Sequence, residues 1–235
     1  MRKLFFLSCL LCFANTLMSQ TTFDWGISLQ PNLSNRRLIA FSNISEAEVV
    51  RLDSLENSRF SYSAGIMAGW RGGKGGFYVG LNYMDTGYRT LRGPFAADEP
   101  NPREASERRF VHKNINIEIP AELQFFQELK NDNYFYFMLG IAMSVNVQNN
   151  LNTILYFGDT SEVIRAREEE EFRRTNFAFQ TGMGWEKVLS EKFAMIVQPT
   201  FKFWMRGVLV NNELNRNLYS FGLKLAIKYR SIPLE

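Results

Sequence analysis

Hydrophobic and polar residues alternate with a period of two in eight separate stretches of the chain, the pattern of strands with one apolar and one polar face. The first sets Phe23, Trp25, Ile27 and Leu29 against Asp24, Gly26, Ser28 and Gln30. Further stretches run near residues 60–71, 77–83, 111–125, 134–147, 176–186, 193–206 and 219–230. One face of each is almost unbroken large apolar and aromatic residues. The other mixes Gly, Ala and Ser with Asn, Gln and a few charges. A soluble sandwich would expose its charged face and bury its apolar one. Here the small and polar face suits a narrow interior, and the apolar face suits lipid. A water-soluble barrel of lipocalin type would instead crowd nearly all the aromatic residues into one small interior.

Connection lengths point the same way. Links 71–76, 127–133 and 189–192 are short, whereas 34–59, 88–109, 148–173 and 207–217 are longer, and the two kinds alternate. Bacterial barrels combine short periplasmic turns with longer outer loops. The reading is therefore all-β: an eight-stranded antiparallel up-and-down transmembrane β-barrel, with both termini periplasmic and the loops extracellular. Closure also removes the unpaired strand edges that lipid does not tolerate. Aromatic girdles are expected at the strand ends, with Trp25, Trp70, Trp185, Phe193 and Tyr229 at the periplasmic rim and Tyr62 and Tyr219 at the outer one.

Composition sharpens this. Aromatics make up 14% of the residues, with 21 Phe, yet mean hydropathy is −0.21, as expected when apolar side chains are spread over alternate positions. Residues 1–19 read as a cleaved secretory signal peptide: Arg2 and Lys3, an apolar run from Leu4 to Ala14, then small Ser19 before a cut at Gln20. Residues 20–235 form the barrel domain. Both cysteines, Cys9 and Cys12, fall in the segment to be removed, and neither has a lipoprotein-type setting, so no disulfide holds the mature chain. Removing Arg2 and Lys3 from 27 basic residues leaves 25 against 24 acidic, a net charge of +1. That balance argues against a nucleic-acid partner. Neither a phosphate-binding glycine loop nor a His/Cys cluster is present, so no cofactor, metal or catalytic set is expected.

The polar face carries the candidate chemistry. Glu118, Glu122, Lys202, Arg206, Lys224 and Lys228 are expected to form a lumen charge network, with opposite charges at matched depth pairing to plug the barrel. Threading places Glu118 and Lys224 near mid-height, Glu122 and Lys228 lower, and Lys202, Arg206 and His112 higher. The one histidine, His112, has no serine within two residues, which weakens any comparison with barrel enzymes that modify lipid A. In the loops, Ser45 and Glu48 stand at capping-box spacing and predict a short helix over 45–56. Segment 161–174 is densely charged, with Arg165 and Glu169 at i,i+4, and reads as a further helix. Segment 93–109, rich in proline and charge, is expected to be a mobile loop.

The run Ile115-Asn116-Ile117-Glu118-Ile119-Pro120-Ala121-Glu122-Leu123-Gln124-Phe125, a short polar turn and the glycine-bearing strand Tyr134 to Val147 resemble the PorT-like outer-membrane β-barrel family. Glu122 departs from that pattern, which usually has an apolar or small residue there. The resemblance implies an outer-membrane location, no catalytic motif and, as the alternative to a free-standing barrel, a role as accessory subunit of a protein-secretion and gliding apparatus. Outer-membrane lipid and lipopolysaccharide are the expected surroundings of a monomeric barrel acting as a structural or interaction scaffold through its outer loops.

Overall fold

The computed structural model describes residues 21–40, 44–95, 100–101, 103–210 and 214–231. The expected signal peptide lies outside the described residues. Ten strands and one helix are present among them: β1 (Thr22–Ala40), α1 (Glu46–Leu55), β2 (Glu56–Asn57), β3 (Arg59–Arg71), β4 (Gly75–Thr90), β5 (Glu107–Glu128), β6 (Asn133–Phe157), β7 (Thr160–Arg167), β8 (Thr175–Val188), β9 (Phe193–Trp204) and β10 (Leu214–Arg230). Eight of the strands close into a ring in the order β1-β3-β4-β5-β6-β8-β9-β10, and β10 returns to β1 with Trp25 opposite Tyr229 and Leu33 opposite Phe221. Every neighbouring pair is antiparallel. The short links lie at one end of the ring, where Phe23 also meets Ser231. This is the turn end. The long connections gather at the opposite, loop end.

The alternation read from the sequence sorts side chains as expected. Ile27, Leu33, Phe60, Ile66, Ile141 and Phe221 all point outward and are more than half exposed. Asp24, Ser61, Glu118, Gln124, Gln198 and Lys228 point inward and are buried. Exposing so many large apolar groups to water would be strongly unfavourable. The belt is a surface made for lipid. The helix α1 is too short to cross a bilayer, and no helix among the described residues is long and apolar enough to do so.

Three expectations about the loops are revised. Strand β1 continues to Ala40, well into the 34–59 link, and β4 runs to Thr90, just into the 88–109 link. Strands β5 and β6 reach 22 and 25 residues, whereas about 10 suffice to cross a bilayer at a tilt. Their excess rises beyond the belt at the loop end. The 161–174 segment is not helical: Thr160–Arg167 pairs with β6 as β7, turning through Gly158 at φ +62°. Backbone pairing along Asn150–Phe157 outweighs the weak i,i+4 attraction of exposed charges, worth only about 0.3–0.5 kcal/mol. A register shift opposite Ile115/Asn116, skipping Val147, marks a bulge in β6 where the wall passes into this extension. The 45–56 segment does form its helix, with the Ser45 side chain accepting from the Glu48 amide.

The interior is packed by two apolar clusters. Met67, Tyr78, Phe126, Tyr136, Met138 and Ile196 fill the turn-end half. Met84, Tyr88, Ala142, Ala178, Trp204 and Leu218 fill the loop-end half. Charged groups are threaded between and through them.

Candidate functional site

The interior charges fall into successive tiers. Nearest the turn end, Lys228 Nζ lies 2.7 Å from Glu186, 3.0 Å from Asp24 and 3.2 Å from the Tyr78 hydroxyl. The Tyr78 hydroxyl donates to Asp24 at 2.8 Å. Arg71 donates to Glu186 and stacks on the rings of Phe126 and Tyr134, 4.0 and 4.2 Å from their centroids. In the next tier, Lys224 donates to both oxygens of Glu122 at 2.8 and 3.0 Å, and Gln180 and Gln124 donate to the same carboxylate. Above it, Lys202 donates to Glu118, which also accepts from Ser144.

Strand alternation places every one of these groups inward, and all of them are buried. The set contains four carboxylates, Asp24, Glu118, Glu122 and Glu186, and four cations, Arg71, Lys202, Lys224 and Lys228. Each tier is separately neutral. That matters because a buried charge without a partner costs several kcal/mol. A cavity of about 10 Å³ is lined by Glu122 and Lys224, and one of about 20 Å³ borders Ser144 and Trp204, room for roughly one water each.

The pairing differs from the depth-matched expectation. Glu118 takes Lys202 rather than Lys224, and Glu122 takes Lys224 rather than Lys228. Strands in a barrel are tilted and staggered, so equal counts from strand ends do not mean equal height across the lumen. Arg206 corrects a second expectation. It lies past the end of β9 and is exposed, and among the described residues its one hydrogen bond is at the backbone carbonyl, which accepts from Asn176. Sequence reasoning left out Asp24, Arg71, Glu186 and Tyr78. All four share the inward parity of their strands, which is the signal that identifies them.

The expected girdle residues face outward. Trp25 and Phe193 both contact Tyr229, with ring centroids 5.7 and 5.6 Å apart, and Trp70 packs on Phe23 at 5.6 Å. Trp185 stands opposite Phe135 on the neighbouring strand. All of these are at the turn end. Tyr62 packs on Tyr83, and Tyr219 on Phe221, nearer the loop end.

A lumen of neutral tiers inside an apolar belt, closed on itself, is a structure that only a bilayer accommodates. The fold is an eight-stranded β-barrel of the outer-membrane type.

The mouth of this barrel at the loop end has its own polar contacts. Arg59 holds Asp85 through two hydrogen bonds of 2.6 and 3.0 Å. Arg36, buried, donates to Glu56, to Asp53 at 2.6 Å and to the Leu52 carbonyl, while Arg216 reaches Glu56 from the far side at 3.0 Å. These contacts fix the C-terminal end of α1 over the barrel wall. Burial pushes the Glu56 carboxyl up, but the hydrogen bonds and charges of Arg216 and Arg36 outweigh it, so its pKa lies below the usual carboxylate value. His112 Nδ1 is 2.6 Å from Glu168, and its ring stacks on Tyr88 at 4.5 Å. They border a cavity of about 130 Å³ that Glu170 and Arg216 also line. The His112 hydrogen bond is thus to an acid that enters from beyond β7, with no hydroxyl nucleophile in the contact. Among the described residues no group of three His, Cys, Asp or Glu side chains is placed to hold a metal.

No family model matches the sequence, and no curated protein matches it. The barrel is similar in fold to solved structures. Neisserial surface protein A is 12% identical, with 88% of this chain and 96% of that chain covered and a TM-score of 0.46. The outer membrane protein OprG from Pseudomonas aeruginosa is 10% identical, covering 91% and 97%, with a TM-score of 0.45. Ail, the attachment invasion locus protein of Yersinia pestis, is 9% identical in its complex with the heparin analogue sucrose octasulfate, covering 89% and 99%, with a TM-score of 0.35.

Proposed function

We propose that this chain is a non-enzymatic integral protein of a bacterial outer membrane, a rigid scaffold that presents an interaction surface on its outer side. The observation that carries the reading is the contrast between the two ends. The turn end is trimmed to links of a few residues, whereas the loop end carries α1 and the raised β5–β6–β7 sheet. Every residue of β7 is exposed, and Val163 and Ile164 stand clear on it. Loops and extensions held by a rigid barrel are where such proteins make contact with partners. The lumen, by contrast, is filled with neutral, hydrogen-bonded tiers and serves as a plug.

A second reading rests on the strand Ile115–Phe125 and the following strand from Tyr134, which resemble the PorT-like family. In that case the chain is an accessory subunit of a protein-secretion and gliding apparatus. Affinity purification from detergent-solubilised membranes of the native host separates the two readings. Recovery of a stoichiometric secretion channel favours the accessory subunit. A barrel that purifies alone, and whose β7 deletion leaves secretion unchanged, favours the free-standing scaffold. A lipid A-modifying activity would need a nucleophile beside His112. An unaltered lipid A profile in a His112→Ala strain removes that reading.

A further inference from the structure

A groove of about 590 Å³ runs along the outside of the barrel at the loop end, between α1 and the wall formed by β9 and β10. Its floor is Phe201, Phe203, Tyr219 and Phe221, whose strands set Phe203 opposite Tyr219 and Phe201 opposite Phe221. These side chains continue the apolar belt, so the groove opens directly onto the hydrocarbon of the membrane. Its roof is Val49 and Val50 of α1. The helix buries none of its residues, and Val50 is 61% exposed. Polar contacts of Arg36 with Leu52, Asp53 and Glu56, not apolar packing, hold α1 in place. The apolar side of the roof is therefore left facing the floor across an open space.

Arg37 lines the same groove. On β1 it shares the outward parity of Leu33 and Asn35, and it stands opposite Asn217, two positions beyond the pair Asn35 and Tyr219. It therefore sits just above the aromatic level, where lipid headgroups begin. Arg36 and the Asp53 carboxylate also line the groove, but they pair with each other at 2.6 Å, and Arg36 shares Glu56 with Arg216, so these four charges balance. Arg37 has no carboxylate partner among the described residues, so the groove pairs an apolar floor with one uncompensated cation at headgroup height.

We infer that this groove holds one phosphorylated membrane lipid, with an acyl chain between the aromatic floor and the Val49–Val50 roof and a phosphate on Arg37. The inference rests on the outer-membrane reading above and adds to it a lipid class and a position. A volume of this size accommodates a lipid segment. A guanidinium at the interface is the side chain best suited to a phosphate. Continuity with the belt favours a lipid over a soluble anion, because a soluble anion gains nothing from the floor.

The test is native mass spectrometry of the full mature chain, released from detergent supplied with diphosphoryl lipid A or with the same lipid stripped of its phosphates. One retained molecule of the diphosphoryl lipid is expected, and about fivefold less of the dephosphorylated one. Arg37→Glu lowers retention by about tenfold or more, Arg37→Lys largely keeps it, and Val50→Glu lowers it through the roof. Equal retention by Arg37→Glu, indifference to the phosphates, or displacement by millimolar inorganic phosphate each overturns the inference. Heat-dependent mobility on a denaturing gel is read on every sample. A chain that shifts with heat but retains no lipid refutes the groove alone. A chain that stays soluble without detergent and shows no shift refutes the membrane reading itself.

Discussion

The ring of Tyr136 lies across the backbone of its cross-strand partner Gly184, where an added Cβ would sit 2.1 Å from Cζ. The ring cannot easily move aside, because its hydroxyl donates to Gln198 at 2.6 Å and its face packs on Phe126 at 5.1 Å. Tyr78 repeats the arrangement on Gly69, its partner on β3. Glycine at these two positions makes the space in which lumen tyrosines lie flat against the wall. Gly184→Ala is expected to cost about 1–3 kcal/mol, the usual penalty of overpacking a filled core. Urea unfolding in detergent or lipid measures it. Gly184→Ala combined with Tyr136→Ala should cost less than the sum of the two single changes, because the clash disappears with the ring. Strict additivity would show that the contact does not constrain the barrel.

Lys228 is the hinge of the turn-end tier, placed between Asp24 and Glu186. Lys228→Met fits the same space but leaves Asp24 with no cation of its own, while Arg71 still answers Glu186. Breaking a buried pair in this way costs about 3–5 kcal/mol. Adding Asp24→Asn restores neutrality and should recover at least half of the loss. The temperature at which the folded band disappears on a gel reports both. A double variant no more stable than Lys228→Met would argue that packing, not charge balance, sets the tier.

Most of the barrel was legible in the sequence because lipid imposes a strict period of two. Phe23 through Leu29 cannot slip by one residue without carrying Asp24 into hydrocarbon. The lumen was legible only by parity. Glu118, Glu122, Lys202, Lys224 and Lys228 do point inward, but which carboxylate meets which lysine depends on strand stagger, a property of the closed ring rather than of any single strand. Arg206 was misplaced because alternation was continued past Trp204, where β9 ends and nothing enforces it. The loop end was least legible. Its long strands β5 and β6 are amphipathic up to the bulge at Val147, and beyond it the pairing no longer needs an apolar face to be stable. The Ser45 cap, a local signal with its own hydrogen bond, survived where the charge pattern of 161–174 did not.

Acid should loosen α1. The Glu56 carboxyl has a folded pKa below its unfolded value, so the ionised group favours the docked helix at pH above about 4.3. That contribution falls away as pH drops through the lower folded value. Amide protection across residues 46–57, taken relative to the intrinsic exchange rate at each pH, is expected to be constant near neutral pH and to fall below the ordinary carboxylate range. Glu56→Gln should show the lowered protection already at pH 7. Protection in the variant that matches the parent at pH 7 would mean that Arg36 and Arg216 do not anchor the helix through this carboxylate.

The stacked tiers bear on conduction. An ion crossing the lumen must pass Lys228 with Glu186 and Asp24, then Lys224 with Glu122, then Lys202 with Glu118, each pair already hydrogen-bonded, and the cavity that Glu122 and Lys224 line has room for about one water. Separating any one pair without water to replace the lost contacts is unfavourable by several kcal/mol. Eight strands leave an interior that side chains fill. Planar-bilayer recordings of the purified barrel should therefore show no stepwise current. Glu122→Ala with Lys224→Ala removes the middle tier, yet the tiers on either side still close the path, so the double variant should remain silent as well. A stepwise current in the parent protein would overturn the plug. A current that appears only in the double variant would show that the Glu122–Lys224 pair alone is the seal.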